Sequence, residues 1–332
     1  TIYVDVDDAA GNSATQNSGT TFVYDVTVAA ATQTTAVSDP TGDTTPDAVI
    51  NVGEAGTIAV GGTNGCALSS TSTMTSGGNT VTLGTISTGD GDYTCTVTFT
   101  DTAGNAASAL SLTEFTLDTT VPVISSVSAS WGDYLNAAED NAAGTVTIVT
   151  SGAEDGQTVT ITIGGIDDSC SLLSNTCAAT VAADDLDSYT DGATLTITAN
   201  VDDAAGNSAT ANTGTTFVYD VTAPTIDTVT AGWGTHLNAA EDNSDGAVTI
   251  AATGANSQTV TITIGGIDDT CTLSSSGSCD ATVAAGDLDG YTDGATLTIT
   301  VNVDDAAGNS ATANTGTTFV YDVTVAAATQ TT

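Results

Sequence analysis

Carboxylates are the groups in this chain whose type and spacing could do chemistry. The 332 residues include 40 Asp and Glu, no Lys or Arg, and carry a formal net charge of −40 at pH 7. All but five of the acids are Asp, which favours turns and oxygen-rich cation loops. A charge of this size repels itself and requires counterions, supplied by salt, divalent metal or both. A solvated surface adapted to high salt is the alternative that explains the acids without any site.

The absence of basic side chains excludes several function classes. The chain has no cationic surface for nucleic acid or for an anionic membrane, so we expect no nucleic-acid partner. No apolar run approaches the ~18 residues that cross a bilayer, so we expect no membrane insertion in this segment. Many carboxylate pairs occur in repeated copies and none is set in a recognisable cleft, which argues for structure, and we do not expect an enzyme.

Short motifs organise the acids into internal repeats. Asp-x-Ala-Gly-Asn recurs at intervals of 93, 102 and 102 residues, each the length of one small β domain. A second motif, Asn-x-x-Glu, begins at Asn51, Asn136 and Asn238, and a junction sequence Asp-x-Thr-x-Pro begins at Asp118 and Asp220. The copies of the first motif occupy residues 8–12, 101–105, 203–207 and 305–309.

The repeats predict the domain organisation. The first 35 residues match the last 35 at all but four positions, so we expect the chain to begin within one domain and to stop where another starts. Two of the complete repeats are close copies of each other, and the third is diverged. The predicted segments are the last strands of a partial domain at 1–27, a diverged domain at 28–119, domains at 120–222 and 223–324, and the start of the next repeat at 325–332.

Short β-branched segments that alternate with period two predict strands, and Gly, Asn and Asp clusters separate them. No segment shows a helical period with caps. Seven such strands per repeat predict an all-β fold of tandem immunoglobulin-like β-sandwich domains in an extended array. In the repeat 120–222 we expect strands near 123–130, 144–150, 157–163, 169–173, 177–182, 193–201 and 214–220.

Six cysteines fall two to each complete repeat. An even count without a CxxC spacing and with a single His favours disulfides over zinc, and disulfides indicate an oxidising, extracellular compartment. In the last two repeats the cysteines are close enough for a local hairpin bridge, whereas in the first repeat the second cysteine falls on a later strand. The expected pairs are Cys66–Cys95, Cys170–Cys177 and Cys271–Cys279.

Taken together, the motifs resemble the tandem immunoglobulin-like repeats of giant bacterial surface adhesins, of the biofilm-associated and RTX-adhesin type. The resemblance covers nearly the whole chain, is specific for the last two repeats, and implies an extracellular stalk whose junctions are often stiffened by Ca²⁺. The chain departs from the family in having no basic residues. The resemblance is carried by Leu135–Glu139, Gly156–Thr160, Asp191-Gly192, Asp203–Asn207 and Asp220–Pro224.

Strand order predicts that carboxylates meet at the junctions between repeats. In a seven-strand count, the first, third and fifth connections and the end of the last strand lie at one pole, facing the last turn of the next repeat. Ca²⁺ takes 6–8 oxygen ligands, so we expect a structural Ca²⁺ at each junction. A pure turn, in which Gly supplies positive φ, is the alternative reading of Asp-x-Ala-Gly-Asn. The predicted ligands are Glu139, Asp140, Asp187, Asp191, Asp220, Asp304, Asp305 and Asn309 at one junction, and Glu54, Asp118, Asp202, Asp203 and Asn207, beside Asp90 and Asp92, at the preceding one.

These observations predict a structural extracellular repeat protein at the cell surface. The segment would belong to a stalk or filament that gives mechanical reach and linkage, stiffened by Ca²⁺ at domain junctions and locked by disulfides. Its expected partner is itself, either in a head-to-tail linear array or as the continuation of one long chain. The alternative is an adhesive binding module that recognises glycans or another surface through its loop tips.

Overall fold

The computed structural model describes residues 1–62, 65–68, 73–86 and 89–325. The predicted start of a further repeat at 325–332 therefore lies outside the described residues after Val325. No helix in the described part of the chain is long and apolar enough to cross a membrane. The chain divides into two compact units, a first unit of residues 1–122, 152–154 and 202–209 and a second unit of residues 123–151, 155–201 and 210–332.

The described residues of the first unit form short antiparallel strands in four sheets, with the orders β1-β2, β3-β4-β7, β10-β9-β5-β6 and β11-β8. One apolar core lies between β4 and β7 on one side and β5 and β9 on the other, and includes Ile50, Val81, Ile58 and Phe99. The strands are β1 Ile2–Val4, β2 Asn17–Thr20, β3 Thr32–Thr35, β4 Asp47–Val52, β5 Gly56–Gly62, β6 Thr73–Met74, β7 Gly77–Thr82, β8 Gly91–Tyr93, β9 Cys95–Asp101, β10 Leu110–Ser111 and β11 Phe115–Leu117.

The second unit contains the same pair of sheets twice. In its first half, β12-β14-β17 form a three-stranded sheet and β13-β19-β18-β15-β16 a five-stranded sheet. The strand β13 runs parallel to β19, and the other pairs are antiparallel. The elements are β12 Val123–Ala129, β13 Tyr134–Leu135, α1 Ala137–Asp140, β14 Gly144–Ser151, β15 Thr158–Ile163, β16 Ile166–Ser171, β17 Thr176–Val181, β18 Ala193–Val201 and β19 Asn212–Tyr219.

The second half of this unit repeats the arrangement with sheets β20-β22-β25 and β21-β27-β26-β23-β24. The two sheets face each other across one core, which joins Val248 and Ile250 of the first sheet to Ile262, Ile299 and Phe319 of the second. The elements are β20 Thr225–Ala231, β21 His236–Leu237, α2 Ala239–Asp242, β22 Gly246–Thr253, β23 Thr259–Ile264, β24 Ile267–Thr272, β25 Ser278–Val283, β26 Ala295–Val303 and β27 Asn314–Tyr321.

These two-sheet cores confirm the predicted all-β, immunoglobulin-like sandwich class. All seven strands predicted between residues 120 and 222 are present within a few residues of their expected positions. Alternation explains the agreement, because in β15 the apolar positions of Thr-Val-Thr-Ile-Thr-Ile are buried while the Thr positions between them remain accessible.

The prediction that no segment is helical was wrong at one place in each half of the second unit. The short helices α1 and α2 follow the short strands β13 and β21. Each helix is a single turn, too short to show a helical period, so only its caps could have revealed it. Asn136 accepts N–H bonds from Ala138 and Glu139, and Glu139 bonds back to the Asn136 N–H. This reciprocal capping box is what the Asn-x-x-Glu motif encodes here.

Three disulfides form as the sequence predicts, namely Cys66–Cys95, Cys170–Cys177 and Cys271–Cys279. The Cys170–Cys177 bond differs from the expected hairpin bridge. Cys170 lies on β16 of the five-stranded sheet, whereas Cys177 lies on β17, which pairs with β14 in the three-stranded sheet. The bond therefore ties the two sheets of the sandwich together.

The hairpin of β1 and β2 is folded like the last two strands of a complete repeat. Its register pairs Ile2 with Thr20 and Val4 with Asn17, as β26 and β27 pair the equivalent residues. Ile2 and Val4 are 60% and 57% exposed, whereas the equivalent Ile299 of β26 is fully buried. The hairpin therefore presents the apolar face that a complete repeat covers with its other strands.

Candidate functional site

The repeated Asp-x-Ala-Gly-Asn motif is a closed, hydrogen-bonded turn. Asp305 accepts N–H bonds from Ala307 at 2.9 Å and Asn309 at 2.8 Å on one carboxylate oxygen, and the Asn309 side-chain amide at 3.0 Å on the other. Gly308 sits at φ +90°, a conformation that L side chains rarely adopt. The bonds from the Asn backbone and side chain to the Asp carboxylate recur in the other three copies of the motif. The local geometry of this motif is therefore the turn that the alternative interpretation predicted.

In three of the four copies, the Asn of the turn also reaches the preceding repeat. The side-chain amide of Asn309 donates to the Asp220 carbonyl oxygen at 2.8 Å, within the second unit. Within the first unit, Asn207 donates to the Asp118 carbonyl at 2.7 Å. Asn105 donates in the same way to the Asp25 carbonyl at 3.2 Å. The motif is therefore a junction element as well as a turn.

At Asn309 the contact extends to the start of α1. The Ala137 N–H donates to the Asn309 side-chain oxygen at 2.9 Å, and the Asn136 side-chain amide donates to the Ala307 carbonyl at 3.0 Å. Asn309 and Asp305 are each only 6% exposed. Three hydrogen bonds, counting that to Asp220, hold this turn against the preceding repeat. The predicted ligand Asn309 therefore already uses its side-chain oxygen and nitrogen in protein contacts.

An acidic cluster lies beside α1. Asp140, Asp184 and Asp187 bring carboxylate oxygens within 4.8 Å of one another. Burial of Asp140, together with the facing Asp187 and Asp184, raises the pKa of its carboxyl, although the Tyr219 hydroxyl donates to it at 3.1 Å. Burial and then the same carboxylate raise the pKa of Tyr219 to about 12. The sequence predicted Asp140 and Asp187 and missed Asp184.

A second acidic cluster, in the first unit, joins Asp25, Glu54 and Asp101 within 4.8 Å. Burial tends to raise the pKa of Asp101, but the hydrogen bonds from Asn105 outweigh it and hold that pKa below its usual value. The sequence predicted only Glu54 of these three. Asp25 and Asp101 occupy the same repeat positions as the predicted Asp220 and Asp305, so comparison of the repeats could have found them.

The shared Asn-x-x-Glu spacing suggested that Glu54 is the counterpart of Glu139, but the structure gives the two residues different roles. Asn51 is a strand residue of β4 paired with Thr32, so it does not cap a helix, and Glu54 follows in the turn before β5. Glu139 instead closes the capping box of α1. Local backbone pairing gives the two copies of this spacing different roles.

The remaining predicted acids mostly satisfy backbone or hydroxyl donors. Asp191 accepts the N–H groups of Val221 and Thr222 at 2.8 and 3.2 Å. Burial, then Asp305 and Asp191, raise the pKa of the half-buried Asp220. These contacts fix the chain that leaves the last strand of the repeat.

At the preceding junction the roles are similar. Asp90 accepts N–H and O–H bonds from Thr119 and an O–H bond from Thr120, whose donors hold the pKa of the Asp90 carboxyl below its usual value. Asp202 accepts the Ser208 hydroxyl. Asp118 accepts the Thr120 N–H, and Asp92 accepts the Thr116 hydroxyl. Asp203 accepts the Asn207 N–H and so closes its turn. Asp304 is exposed, and its backbone forms an isolated β-bridge with Ser310.

The two acidic clusters have the donor chemistry that a hard divalent cation requires. Each offers three carboxylates and no basic group, and the chain contains no Lys or Arg that could neutralise them. Ca²⁺ prefers oxygen ligands of this kind and completes its shell with carbonyls and water. Asp140, Asp184 and Asp187, and separately Asp25, Glu54 and Asp101, are therefore the residues that fit such an ion.

No family model matches the chain. No match to the curated proteins is found either. The chain is similar to a solved structure described as a Ca²⁺-stabilised adhesin that helps an Antarctic bacterium reach out and bind ice, with 27% identity, coverage of 97% of this chain and 81% of that chain, and a TM-score of 0.39. It is also similar to a structure from a 1.5-MDa bacterial ice-binding adhesin, with 26% identity, 90% and 100% coverage, and a TM-score of 0.38.

A third similar structure is a bacterial immunoglobulin-like domain from the M. primoryensis ice-binding adhesin. It is 32% identical over 95% of that domain and 30% of this chain, with a TM-score of 0.22. The chain is thus similar to immunoglobulin-like domains of large bacterial surface adhesins, the repeats that its motifs also resemble. Its three disulfides are typical of extracellular proteins.

Proposed function

We propose that this chain is a structural spacer of a surface adhesin, which gives mechanical reach and linkage and is stiffened by Ca²⁺ and locked by disulfides. The observation that carries the proposal is the junction hydrogen bond of the repeated turn. Asn105, Asn207 and Asn309 each donate to the carbonyl at the end of the preceding repeat. A direct bond at each of these positions restricts bending between neighbouring repeats, which is the property a spacer needs.

Calcium would act at the two acidic clusters. Without a cation, the carboxylates of Asp140, Asp184 and Asp187 repel one another. A bound Ca²⁺ supplies positive charge that neutralises them. Asp140 is the last residue of α1, while Asp184 and Asp187 belong to the connection between β17 and β18. Holding these three carboxylates together ties the two connections to each other at the pole that carries the junction.

The disulfides support the mechanical part of the proposal. Cys170–Cys177 joins the two sheets of one sandwich, and Cys271–Cys279 joins the equivalent sheets of the next. A covalent bond between sheets prevents them from separating under load. In a longer assembly, further segments would continue head to tail through the same junction chemistry, as one long polypeptide or as separate copies.

Calorimetry and small-angle scattering with Ca²⁺ and with a chelator test this function. We expect Ca²⁺ to raise the Tm and to narrow the distribution of particle dimensions, because an ion that binds only the folded state stabilises it by mass action. Asp140→Asn should reduce the response. Asp280→Asn removes the same charge from an exposed strand residue outside both clusters and should leave the response unchanged.

Two results would speak against the spacer. Superimposable melting and scattering curves with and without Ca²⁺ would contradict calcium stiffening. A glycan-array screen addresses the adhesive alternative, because a specific glycan retained by the chain would favour a binding module instead.

A further inference from the structure

We propose that Asp289–Gly290 is a modification site, at which the chain rearranges spontaneously to isoaspartate. In the first step the Gly290 nitrogen attacks the side-chain carboxyl carbon of Asp289. A C–N bond forms, and the carboxyl hydroxyl leaves as water together with the N–H proton, which gives a cyclic succinimide. The reaction needs only the chain itself and water, so it goes beyond the proposed spacer function and does not depend on it.

The second step is hydrolysis of the succinimide ring. Water that opens the ring at the former side-chain carbon restores Asp289. Water that opens it at the main-chain carbonyl leaves the chain running through the Asp289 Cβ, with a free carboxylate on Cα. One water is lost and one is gained, so the mass of the chain does not change, and no oxidant, metal or enzyme is required.

Six Asp–Gly pairs make the sequence susceptible to this reaction in general. Glycine has no Cβ to hinder the approach of its nitrogen to the carboxyl carbon. In a folded chain the nitrogen must also be free, because an N–H bonded to a carbonyl holds its peptide in place. Which of the six pairs reacts therefore depends on the structure. The pairs begin at Asp90, Asp155, Asp191, Asp245, Asp289 and Asp293.

In five of the pairs, backbone pairing holds the glycine. Three of these glycines donate their N–H to main-chain carbonyls, Gly156 to Leu172 at 2.8 Å, Gly192 to Tyr219 at 2.8 Å and Gly294 to Tyr321 at 2.7 Å. The other two are strand residues, Gly91 of β8 paired with Leu117 and Gly246 of β22 paired with Val283. Attack by any of these nitrogens would require the local backbone pairing to open.

The carboxylates of the same five pairs are held as well. Each accepts a backbone N–H from another part of the chain, and rotation toward the following nitrogen would break that bond. The donors are Thr119 to Asp90, Ser174 to Asp155, Val221 to Asp191, Ala285 to Asp245 and Val323 to Asp293.

Asp289–Gly290 has neither restraint. Within the described residues the Gly290 N–H donates no hydrogen bond, and the hydrogen-bonding partner of the Asp289 carboxyl is the carboxyl of Asp242. Both residues of the pair are exposed, in the connection between β25 and β26. A Cβ added at Gly290 would meet nothing within 4 Å, so the ring has room to form.

The preceding repeat shows that this exposure belongs to the repeat itself. Asp187 and Ser188 occupy the same positions there, and both are exposed although a following repeat of the chain is present. The turn is the same in both repeats, since Tyr189 and Tyr291 each donate an N–H to the carbonyl of the preceding Leu at 3.0 Å. Serine carries a Cβ, so Asp187–Ser188 should react more slowly than Asp289–Gly290.

The rearrangement would alter the turn in which it occurs. Isoaspartate inserts the Cβ into the main chain between Leu288 and Tyr291, whose hydrogen bond closes the turn. It also moves the carboxylate from the end of the side chain onto Cα. Asp242, which is only 7% exposed, faces that carboxylate. The modification therefore accumulates with the age of the protein and changes the surroundings of a buried acid.

Incubation of the full chain at neutral pH and physiological temperature tests the site. Isoaspartyl methyltransferase adds a methyl group to isoaspartate, and the protease Asp-N, which cuts before Asp but not before isoaspartate, loses its cut at residue 289. We expect methyl groups to accumulate over weeks, and fragmentation mass spectrometry to locate them at residue 289 among the six pairs. Deamidation at Asn64, which lies outside the described residues, is recognised by its gain in mass.

Two variants and an unfolded control sharpen the result. Gly290→Ala adds a Cβ beside the attacking nitrogen and should slow the accumulation by about tenfold or more, equivalent to about 1.4 kcal/mol in the barrier. Asp289→Asn should react faster, because a neutral amide is attacked more readily than an ionised carboxylate and closes the same ring with loss of ammonia. In denaturant with reductant, the six pairs should react at similar rates. Circular dichroism checks that each variant is folded.

Four results would overturn the assignment. They are the absence of isoaspartate at residue 289 of the native chain, equal accumulation at any of the five held pairs, a Gly290→Ala chain that reacts as fast as the unchanged chain, and an Asp289→Asn chain that stays intact. The last result would show that the turn cannot bring the nitrogen and the side chain together.

Discussion

At the scale of single residues, Asp140 is a buried carboxylate whose charged form is disfavoured by burial and by repulsion from its neighbours, and would be favoured by a bound cation. Its carboxyl is 8% exposed, faces Asp187 and accepts the Tyr219 hydroxyl. In the next repeat Asp242 keeps the tyrosine and the facing Asp289, but Gly286 stands where Asp184 does. The two repeats therefore differ by one carboxylate at the same place.

Replacing Asp140 with Asn should have opposite effects with and without Ca²⁺. In chelator at pH 7 we expect Asp140→Asn to raise the Tm by about 4–8 °C, equivalent to about 1 kcal/mol in a small domain, because it removes a repelling charge. With Ca²⁺ the unchanged protein should be the more stable, since the variant lacks a ligand. Calorimetry measures the Tm of the variant and of the unchanged protein in both buffers. The same Tm shift with Ca²⁺ and with chelator would contradict the proposal that Asp140 is a Ca²⁺ ligand.

The pH dependence of that variant has a defined sign. The pKa of Asp140 is raised in the folded state, so its protonated form is favoured by folding. Its stabilising contribution is present at low pH and is lost as the pH rises through the folded pKa. The advantage of Asp140→Asn in chelator should therefore be largest at pH 7 and vanish below about pH 3.8, the ordinary value of an Asp carboxyl.

At the scale of elements, the start of β22 depends on a glycine packed against an aromatic ring. A Cβ added at Gly246 would lie 2.7 Å from the Trp233 ring, which itself packs edge-on against Phe319 at 5.2 Å between centroids. Gly144 and Trp131 repeat the arrangement, with a Cβ at 2.6 Å. The close approach lets the connection before the strand cover the core.

Gly246→Ala should therefore be destabilising by about 1–3 kcal/mol, the usual cost of overpacking a core. Gly290→Ala in the same repeat is the matched control, since an added Cβ there meets nothing within 4 Å and its backbone does not require glycine. Urea unfolding of the two variants compares them. Equal stabilities would show that the tryptophan can move aside.

The disulfides should differ in strength according to the loops they close. Cys66–Cys95 spans 29 residues and Cys170–Cys177 spans 7. The chain-entropy model gives about 3.6 kcal/mol for the longer loop and about 2.4 kcal/mol for the shorter one. Paired Cys→Ala variants, compared by thermal unfolding under oxidising conditions, should rank in that order. The reverse order would show that native packing around the bonds outweighs loop length.

At the scale of the whole molecule, the negative charge is not balanced by any Lys or Arg side chain. The formal charge of −40 is spread over 332 residues without a single Lys or Arg, so repulsion opposes the folded state wherever acids are crowded. Counterions are the only source of compensation. This applies to the surface as a whole and is independent of the two acidic clusters.

The Tm should consequently rise with NaCl at pH 7 in the presence of chelator, because salt screens the repulsion. Near pH 4.1, the isoelectric point of the sequence, net repulsion disappears and the salt effect should become small. Melting curves over a NaCl series at both pH values measure this. A salt response of equal size at both would point to an effect of salt on hydrophobic burial instead of on charge.

The sequence by itself determined the strands, the repeat interval and the disulfide pairs. These features are local or repeated, since alternating β-branched residues such as those of β15 specify a strand wherever it pairs. The Asn-x-x-Glu motif could not be interpreted from local sequence alone. The same spacing caps α1 at Asn136 but begins within strand β4 at Asn51.

Only the tertiary structure decided which carboxylates meet. Asp184 joins Asp140 through the packing of two connections, and Asp25 joins Glu54 across a junction. It also decided that the disulfide at Cys170 joins two sheets. Residues far apart in sequence become neighbours through strand pairing and sheet packing, and a sequence of interchangeable Asp residues carries no local signal of which partner each will face.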